Sequence, residues 1–490
     1  MKITPDISTF IKLSKNHNIL VLSHKFYVDN VTPISMYYAL RRYLRGESFL
    51  LESVEGEEKI SRFSFLGFCP IYSFKSKGEK IYIVGKNITK FKTKFDPIYE
   101  LSNFMKKFSV APKENLRFFG GFVGYISYDV IRFYEPIGKR LVDTLDTFDT
   151  YFIFPKFLII CDHITKQIEI LSFIVIDNIK QIKKLYFKEV NIIRHIYNLV
   201  NKPAKLPPLL FILKKLKYKS NFKKRDFIKA VKKAKSYIKN GEAIQIVLSQ
   251  RFCFDFNGRP FDAYRYLRIL NPSPYMFYLD FGKAKIAGSS PEMLLRCENG
   301  TLITRPIAGT RKRGKDEIED KKLAESLIGD SKERAEHIML VDLARNDLGR
   351  VAKNKSVSVP IFMTIERFSH VMHIVSEVCA KLDEKKTMFD ALISCFPAGT
   401  VSGAPKVRAM QIINELEPNS RQIYAGCVGY FSFTNSLDTC IIIRTIIFKN
   451  KKAYVQAGAG IVYDSVPKKE YFETLNKAKA QILALQYANK

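Results

Sequence analysis

The sequence predicts an α+β protein in which large mixed or antiparallel sheets pack against helices. Three observations carry this. Roughly the first 165 residues are mostly short runs of β-branched and aromatic residues, with glycine at the turns. Beyond Lys224, helical periodicities alternate with strand-like runs to the C-terminus. No internal repeat or low-complexity segment interrupts this alternation, which is the signature of segregated helices on sheets.

In chain order, Thr32–Arg42 reads as a helix, and Ser48–Val54, Arg62–Ser73 and Lys80–Val84 as strands. A helix over Pro97–Phe108 and a strand over Phe118–Tyr128 follow. Residues 196–221 hold Pro203, Pro207 and Pro208 with little periodicity, which predicts a linker. Asp226–Asn240 reads as a helix stopped by Gly241, Ala243–Phe256 as a strand, Pro260–Leu270 as a helix and Tyr275–Phe281 as a strand. Glu319–Leu348 is mainly helical with a break near Gly329-Asp330. A last helix follows Pro467, with Asp464 or Ser465 able to cap it. The organisation expected is therefore an N-terminal region (1–195), a linker (196–221) and a C-terminal region (222–490).

A chain of 490 residues, 47% hydrophobic, can bury a sizeable core. Its 80 Lys+Arg against 48 Asp+Glu give a formal charge of +32. Such a balance raises a nucleic acid or an anionic membrane as partner. The distribution argues against both. The lysines are scattered, with only short clusters such as Lys214-Lys215 and Lys223-Lys224-Arg225, and no nucleic-acid module is visible. Abundant Ile, Lys, Asn and Phe with no Trp fits drift in an AT-rich genome. The eight cysteines stand singly, Met1–Asn30 lacks a signal-peptide pattern, and no apolar run reaches the roughly 18–20 residues of a membrane span. A reduced, soluble, cytoplasmic protein is expected.

Several motifs fail on inspection. Ala425-Gly-Cys-Val-Gly429 imitates a nucleophile elbow, but the last histidine is His373, so none follows the thiol in the chain. Cys427 is expected to be a small buried residue. Gly458-Ala-Gly460 begins like a dinucleotide loop, yet Tyr463 stands where the third glycine belongs. Gly399–Lys406 is rich in glycine and ends in lysine but lacks the phosphate-loop spacing.

Two carboxylate pairs survive. Glu333 and Glu336 open one helix, and Glu470 and Glu473 open another. Residues three apart share a helix face. Charge at a helix N-terminus explains either pair alone. Two such faces meeting would gather four carboxylates, a cluster that a hard cation such as Mg²⁺ stabilises, with few direct carboxylates and several waters. Both readings stand on spacing alone. Arg444, read as the end of an apolar strand in Ile441-Ile-Ile-Arg444, is a charge rarely buried without a partner, and its planar fork suits a carboxylate. Gly458, Ala459, Gly460, Gly309 and Thr310 let backbone N–H groups approach a ligand closely. Together they describe a site for a small di-acid.

Pro306-Ile-Ala-Gly-Thr310, Lys332-Glu-Arg-Ala-Glu-His337, Phe396–Lys406 and Gln456-Ala-Gly-Ala-Gly460 closely resemble the chorismate-utilising enzymes, and within them the large subunit (component I) of anthranilate synthases. The resemblance covers essentially the whole chain and is strongest over 224–482. It implies the chorismate-binding enzyme fold, with Mg²⁺ held by Glu336 and Glu473 directly and by Glu333 and Glu470 through waters. Tyr424, Arg444, Gly309, Thr310 and the Gly458–Gly460 backbone would bind the substrate's carboxylates, with charge added by Lys477. Glu292 matches the family's general acid, His373 the histidine tied to pyruvate elimination, and Thr400 a residue lining the site. The implied reaction adds ammonia to chorismate and releases pyruvate to give anthranilate.

Two positions separate the siblings. Aminodeoxychorismate synthases, the nearest alternative, carry a nucleophilic lysine where Ala308 stands. Isochorismate and salicylate synthases carry a water-activating lysine where Gln245 stands. A basic nucleic-acid-binding protein, the alternative from another class, explains none of these motifs. An inactive remnant is countered by the intact site residues. Ser53, Pro274, Tyr275 and Met276 match the family's L-tryptophan feedback site. The chain has no glutaminase triad, so a glutamine amidotransferase small subunit is the implied partner, in a heterotetramer of two large and two small chains. Lys468-Lys469, ahead of Glu470, departs from relatives that are often acidic or neutral there.

Overall fold

A computed structural model describes residues 1–53, 62–111, 117–176, 179–202, 205–368 and 371–489. Val54 and Pro203, at the ends of an expected strand and in the expected linker, lie outside them, as do Ser369 and His370. The strands join into one connected network, and every ladder between named strands is antiparallel. Strand Ser48–Glu52 pairs on one side with Phe63–Lys77 and on the other with Tyr275–Phe281. Strand Gly121–Ile126 likewise lies between Thr150–Asp162 and Cys427–Ser432. The N-terminal and C-terminal regions therefore complete each other's sheets.

Successive side chains of a strand face opposite ways. In Ser48–Glu52, Phe49 joins one core and Leu50 another. In Thr150–Asp162, Leu158 and Ile160 join the first and Ile159 the second. Both faces are covered, so these strands read as nearly unbroken apolar runs rather than alternations. Helix Lys224–Lys239 and helix Lys406–Leu416 meet the pair Gln245–Asp255 and Lys452–Ile461 in a third core around Phe227, Val231, Ile246, Ile412, Ala459 and Ile461.

Helix Pro260–Leu270 and strand Tyr275–Phe281 take the expected bounds. Other expectations need correction. Helix Ile182–Asn201 carries an amphipathic face past the expected start of the linker, burying Ile193, Ile196 and Val200. Strand Tyr218–Ser220 pairs with Gln245–Asp255 before the linker's expected end. Neither Asp464 nor Ser465 caps helix Pro467–Ala488. Its N-cap is Val466, without a side-chain bond, and Pro467 at the first turn pre-sets the helix. Ser465 Oγ accepts instead from the Val462 N–H at 3.1 Å. Among the described residues no helix is long and apolar enough to cross a membrane, and all eight cysteines are free. Cys427 is buried in strand Cys427–Ser432.

Candidate active site

A cavity of ≈500 Å³ opens between helix Ser331–Gly349, the start of helix Pro467–Ala488 and the ends of several strands. Each element delivers its residue for a local reason. Asp330 caps the first helix, accepting from the Lys332 and Glu333 N–H groups, and this sets Glu333 and Glu336 at its opening. Glu470, Glu473 and Lys477 lie on one stripe of the second, with Lys477 Nζ 2.6 Å from Glu473 Oε1. Strand Ile307–Lys312 breaks register with its partner between Ala308 and Arg311. At this bulge Gly309 takes φ +66°, and its carbonyl is freed from the ladder. It accepts a hydrogen bond from His373 Nδ1 at 2.7 Å. A carbonyl only accepts, so Nδ1 carries the proton and Nε2 is left with its lone pair. Burial lowers the His373 pKa, as does Arg444 nearby, while the Gly309 bond opposes them. The Thr310 hydroxyl lies 3.1 Å from the same nitrogen.

Glu292 is 9% exposed in the connection between strand Ala284–Ser290 and strand Met293–Glu298. Desolvation pushes its pKa up to about 7, against the pull of Thr400, Arg444 and Lys477. The Thr400 hydroxyl leans on this carboxyl without a hydrogen bond of ordinary geometry. Arg444 is not at a strand end, as the sequence suggested. It occupies the tight turn between Leu437–Ile441 and Thr445–Lys449, with φ +52°. Among the described residues no ion pair holds it. Its charge faces Tyr424, Glu292 and Glu473, while burial lowers its pKa. A half-buried guanidinium without an ion pair among the described residues fits an anionic ligand.

Gly458 and Gly460 line the cavity with bare backbone. A Cβ on Gly458 would meet Tyr424 Oη at 2.8 Å, and one on Gly460 would meet Gln245 Nε2 at 2.8 Å. Ala459, between them, turns its side chain into the core behind the sheet, so only its backbone belongs to this edge. Every other residue expected for substrate, acid–base work or metal lines this one cavity. Gln245 and Ala308, the discriminating positions, line it too, as do Lys332 and the apolar Val247, Leu340 and Val462, which carry no local signal that singles them out.

The four carboxylates face the same space without a preformed cluster; among the described residues no three acidic, His or Cys side chains group as metal ligands. Each pair has local partners. Gln245 Nε2 donates to Glu336 Oε1 at 3.0 Å, and Arg311 Nη1 lies 3.3 Å from Glu333 Oε1. Among the described residues, the buried Glu470 Oε2 has no hydrogen-bond partner. Burial raises the pKa of Glu333 and of Glu470, and the negative neighbours Glu336 and Glu473 raise them further. Oxygen-only donors around an orphaned carboxylate oxygen fit a hard divalent cation that keeps most of its waters.

A second cavity, of ≈70 Å³, lies where strands from both halves of the chain meet. Ser53, Pro274, Tyr275 and Met276 all line it. Among the described residues the buried Ser53 Oγ has no hydrogen-bond partner. The Tyr275 hydroxyl donates to Asp438 Oδ1 at 2.9 Å, and Arg296 Nη2 pairs with Asp438 Oδ2 at 2.8 Å. That charged pair was invisible in the sequence because its members are 142 residues apart. The space is far below the several hundred Å³ of a typical ligand pocket, so an indole-sized guest requires the walls to part.

The fold and the acid-lined cavity define a chorismate binding enzyme. The family described in those words matches residues 46–483, and the chain belongs to it. Within it, the chain is 49% identical to anthranilate synthase component 1 of Aquifex aeolicus (strain VF5) over 98% of this chain and 97% of that one. It is 46% identical to the component 1 of Acetivibrio thermocellus, with the same coverage. The crystal structure of anthranilate synthase component I from Streptococcus pneumoniae TIGR4 superposes with a TM-score of 0.77 at 39% identity, covering 93% of this chain and 98% of that one. The chain is thus an enzyme of the anthranilate synthase component 1 group.

Proposed function

We propose that this chain converts chorismate and ammonia to anthranilate, pyruvate and water, the first committed step towards tryptophan, in the cytoplasm. What supports this reading most is the convergence on one ≈500 Å³ cavity of two carboxylate pairs, an unpaired arginine, a near-neutral acid and an unprotonated imidazole nitrogen.

Arg444, Tyr424, the Gly309-Thr310 backbone and the Gly458–Gly460 edge hold the substrate's two carboxylates. Mg²⁺, held by Glu336 and Glu473 and through waters by Glu333 and Glu470, would neutralise the ring carboxylate and favour electron flow towards it. Ammonia adds at ring C2 as the C4 hydroxyl departs. Hydroxide leaves poorly, so Glu292 gives it a proton and it departs as water. Its raised pKa of about 7 keeps the proton available near neutrality. His373 then takes the C2 proton on Nε2 as the enolpyruvyl group leaves and the ring becomes aromatic. Its Nδ1 bond to Gly309 fixes the tautomer this needs.

Ala308 has no nucleophile to form a covalent ring intermediate, and Gln245 cannot activate water. Both features favour the ortho product over aminodeoxychorismate or isochorismate. Ammonia would come from glutamine through a separate amidotransferase subunit, in an assembly of two large and two small chains. L-tryptophan would inhibit from the second cavity, stacking on Tyr275 and Met276, with Ser53 as polar contact.

The test is an assay of the purified chain with chorismate, Mg²⁺ and ammonium, products separated by chromatography. Anthranilate, lost with EDTA and restored by Mg²⁺, is expected. The para isomer or isochorismate would overturn the assignment.

A further inference from the structure

The motif-rich helix Ser331–Gly349 ends in Arg345-Asn-Asp347, and the chemistry above leaves Asp347 without a task. Asp347 is 7% exposed, and Lys406 Nζ lies 2.7 Å from its Oδ2. Between Asp347 and Glu292 is a small inner cavity of ≈40 Å³, whose wall also includes Thr304, Arg305 and Thr400. It has room for about three waters at roughly 10–15 Å³ each. Two of its wall residues carry buried polar atoms without a hydrogen bond: Thr400 Oγ1, and Arg305 Nε, 3.5 Å from Glu377 Oε2. Orphans of this kind are normally satisfied by internal water. Glu292 and Thr400 also line the substrate cavity, so their residues separate it from the inner one. Asp347 and Leu343 line a broad outer cleft of ≈1250 Å³ as well as the inner cavity, and that cleft shares Gln245, Lys332, Glu336 and Val462 with the substrate cavity. Glu292 and Asp347 thus both line one water-sized space, together with Thr304, Arg305 and Thr400.

We propose that Asp347 and the waters of this inner cavity return a proton to Glu292 after each amination, by a path that does not cross the bound substrate. The proposal rests on Glu292 being the general acid. The balance is simple. Glu292 loses one proton to the departing C4 hydroxyl, which leaves as water. The ammonium formed at C2 loses one proton to solvent. One proton enters from the outer cleft through Asp347, and the carboxyl of Glu292 is restored. The charged groups around the path are Lys406 and Arg350 at Asp347, Arg305 on the cavity wall, and Arg444 and Lys477 at Glu292. Burial raises the pKa of both carboxyls, while Lys406 and Arg350 restrain the rise at Asp347 and Arg444 and Lys477 restrain it at Glu292.

The test uses two variants of the full chain. Asp347→Asn keeps the size and removes the titratable group. Ala344→Val fills the inner cavity, which Ala344 lines, and leaves Asp347 in place should the first variant fail to fold. Expected for both is a fall in kcat of about tenfold or more, with KM for chorismate changed less than about twofold and a larger solvent deuterium isotope effect on kcat. Glu292→Gln is measured alongside. If it is inactive while Ala344→Val, and Asp347→Asn where folded, keep the wild-type kcat and isotope effect, the relay is overturned and the acid survives. If Glu292→Gln stays active, the acid itself is wrong and the relay falls with it.

Discussion

Replacing Glu292 by Gln changes one atom and separates stability from catalysis. Burial raises this carboxyl from 4.5 to about 7. Below about pH 4 both the folded and unfolded chains hold the proton, and the side chain contributes no pH dependence. Between the two pKa values the unfolded chain ionises while the folded one does not, so stability falls as pH rises. The loss is complete above about pH 7. A shift of this size, at about 1.4 kcal/mol per unit, corresponds to a penalty on the order of 3 kcal/mol. Glutamine cannot ionise and escapes it. Urea unfolding of both proteins without Mg²⁺, at about pH 5 and about pH 8.5, should show the variant gaining on wild type by roughly 2–3 kcal/mol between the two. Its kcat should fall by about 10²–10⁴-fold, since only the proton donor is gone. An equal stability difference at both pH values would refute the raised pKa, and retained activity would refute the role.

Arg444→Gln removes the unpaired cation from the cavity and should raise KM for chorismate by about 10–100-fold, the worth of a charge-assisted bond, read from initial rates. Ala308→Lys should cut anthranilate output, because a long cation enters a position only 7% exposed; undiminished output would count against the placement of the ring. L-tryptophan at about 1 mM, saturating for any micromolar site, should suppress the ammonia-dependent rate, and Ser53→Phe, which fills the ≈70 Å³ cavity, should abolish that response with little change in kcat.

Local rules made much of the fold legible. Pro260 and Pro467 at first turns, Gly241 after a helix, and the Gly329-Asp330 break all act within a few residues. The two carboxylate pairs were visible for the same reason, since i, i+3 spacing is a property of one helix. Arg444 was misplaced because an apolar run ending in arginine reads as strand, whereas the ladder stops at Ile441 and a left-handed residue re-aims the side chain. Ala459 was counted with its neighbours because backbone access does not reveal which way a side chain turns. The Arg296–Asp438 pair and the inner cavity beside Asp347 arise only from long-range pairing, and nothing local encodes them.

The interleaving of the two halves has a consequence for how the chain is made. Strand Gly121–Ile126 finds its outer partner only at Cys427–Ser432, and pairs Ile126 with Cys427, 301 residues later (427 − 126). At about 5–20 residues per second on the ribosome, that edge waits roughly 15–60 s for completion. Strand Ser48–Glu52 waits likewise for Tyr275–Phe281. During synthesis the N-terminal sheet carries unpaired edges flanked by Phe and Ile side chains, a template for wrong pairing. A fragment ending at residue 195 should therefore precipitate when expressed alone and stay soluble when residues 196–490 are co-expressed, which fractionation of the lysate would read directly.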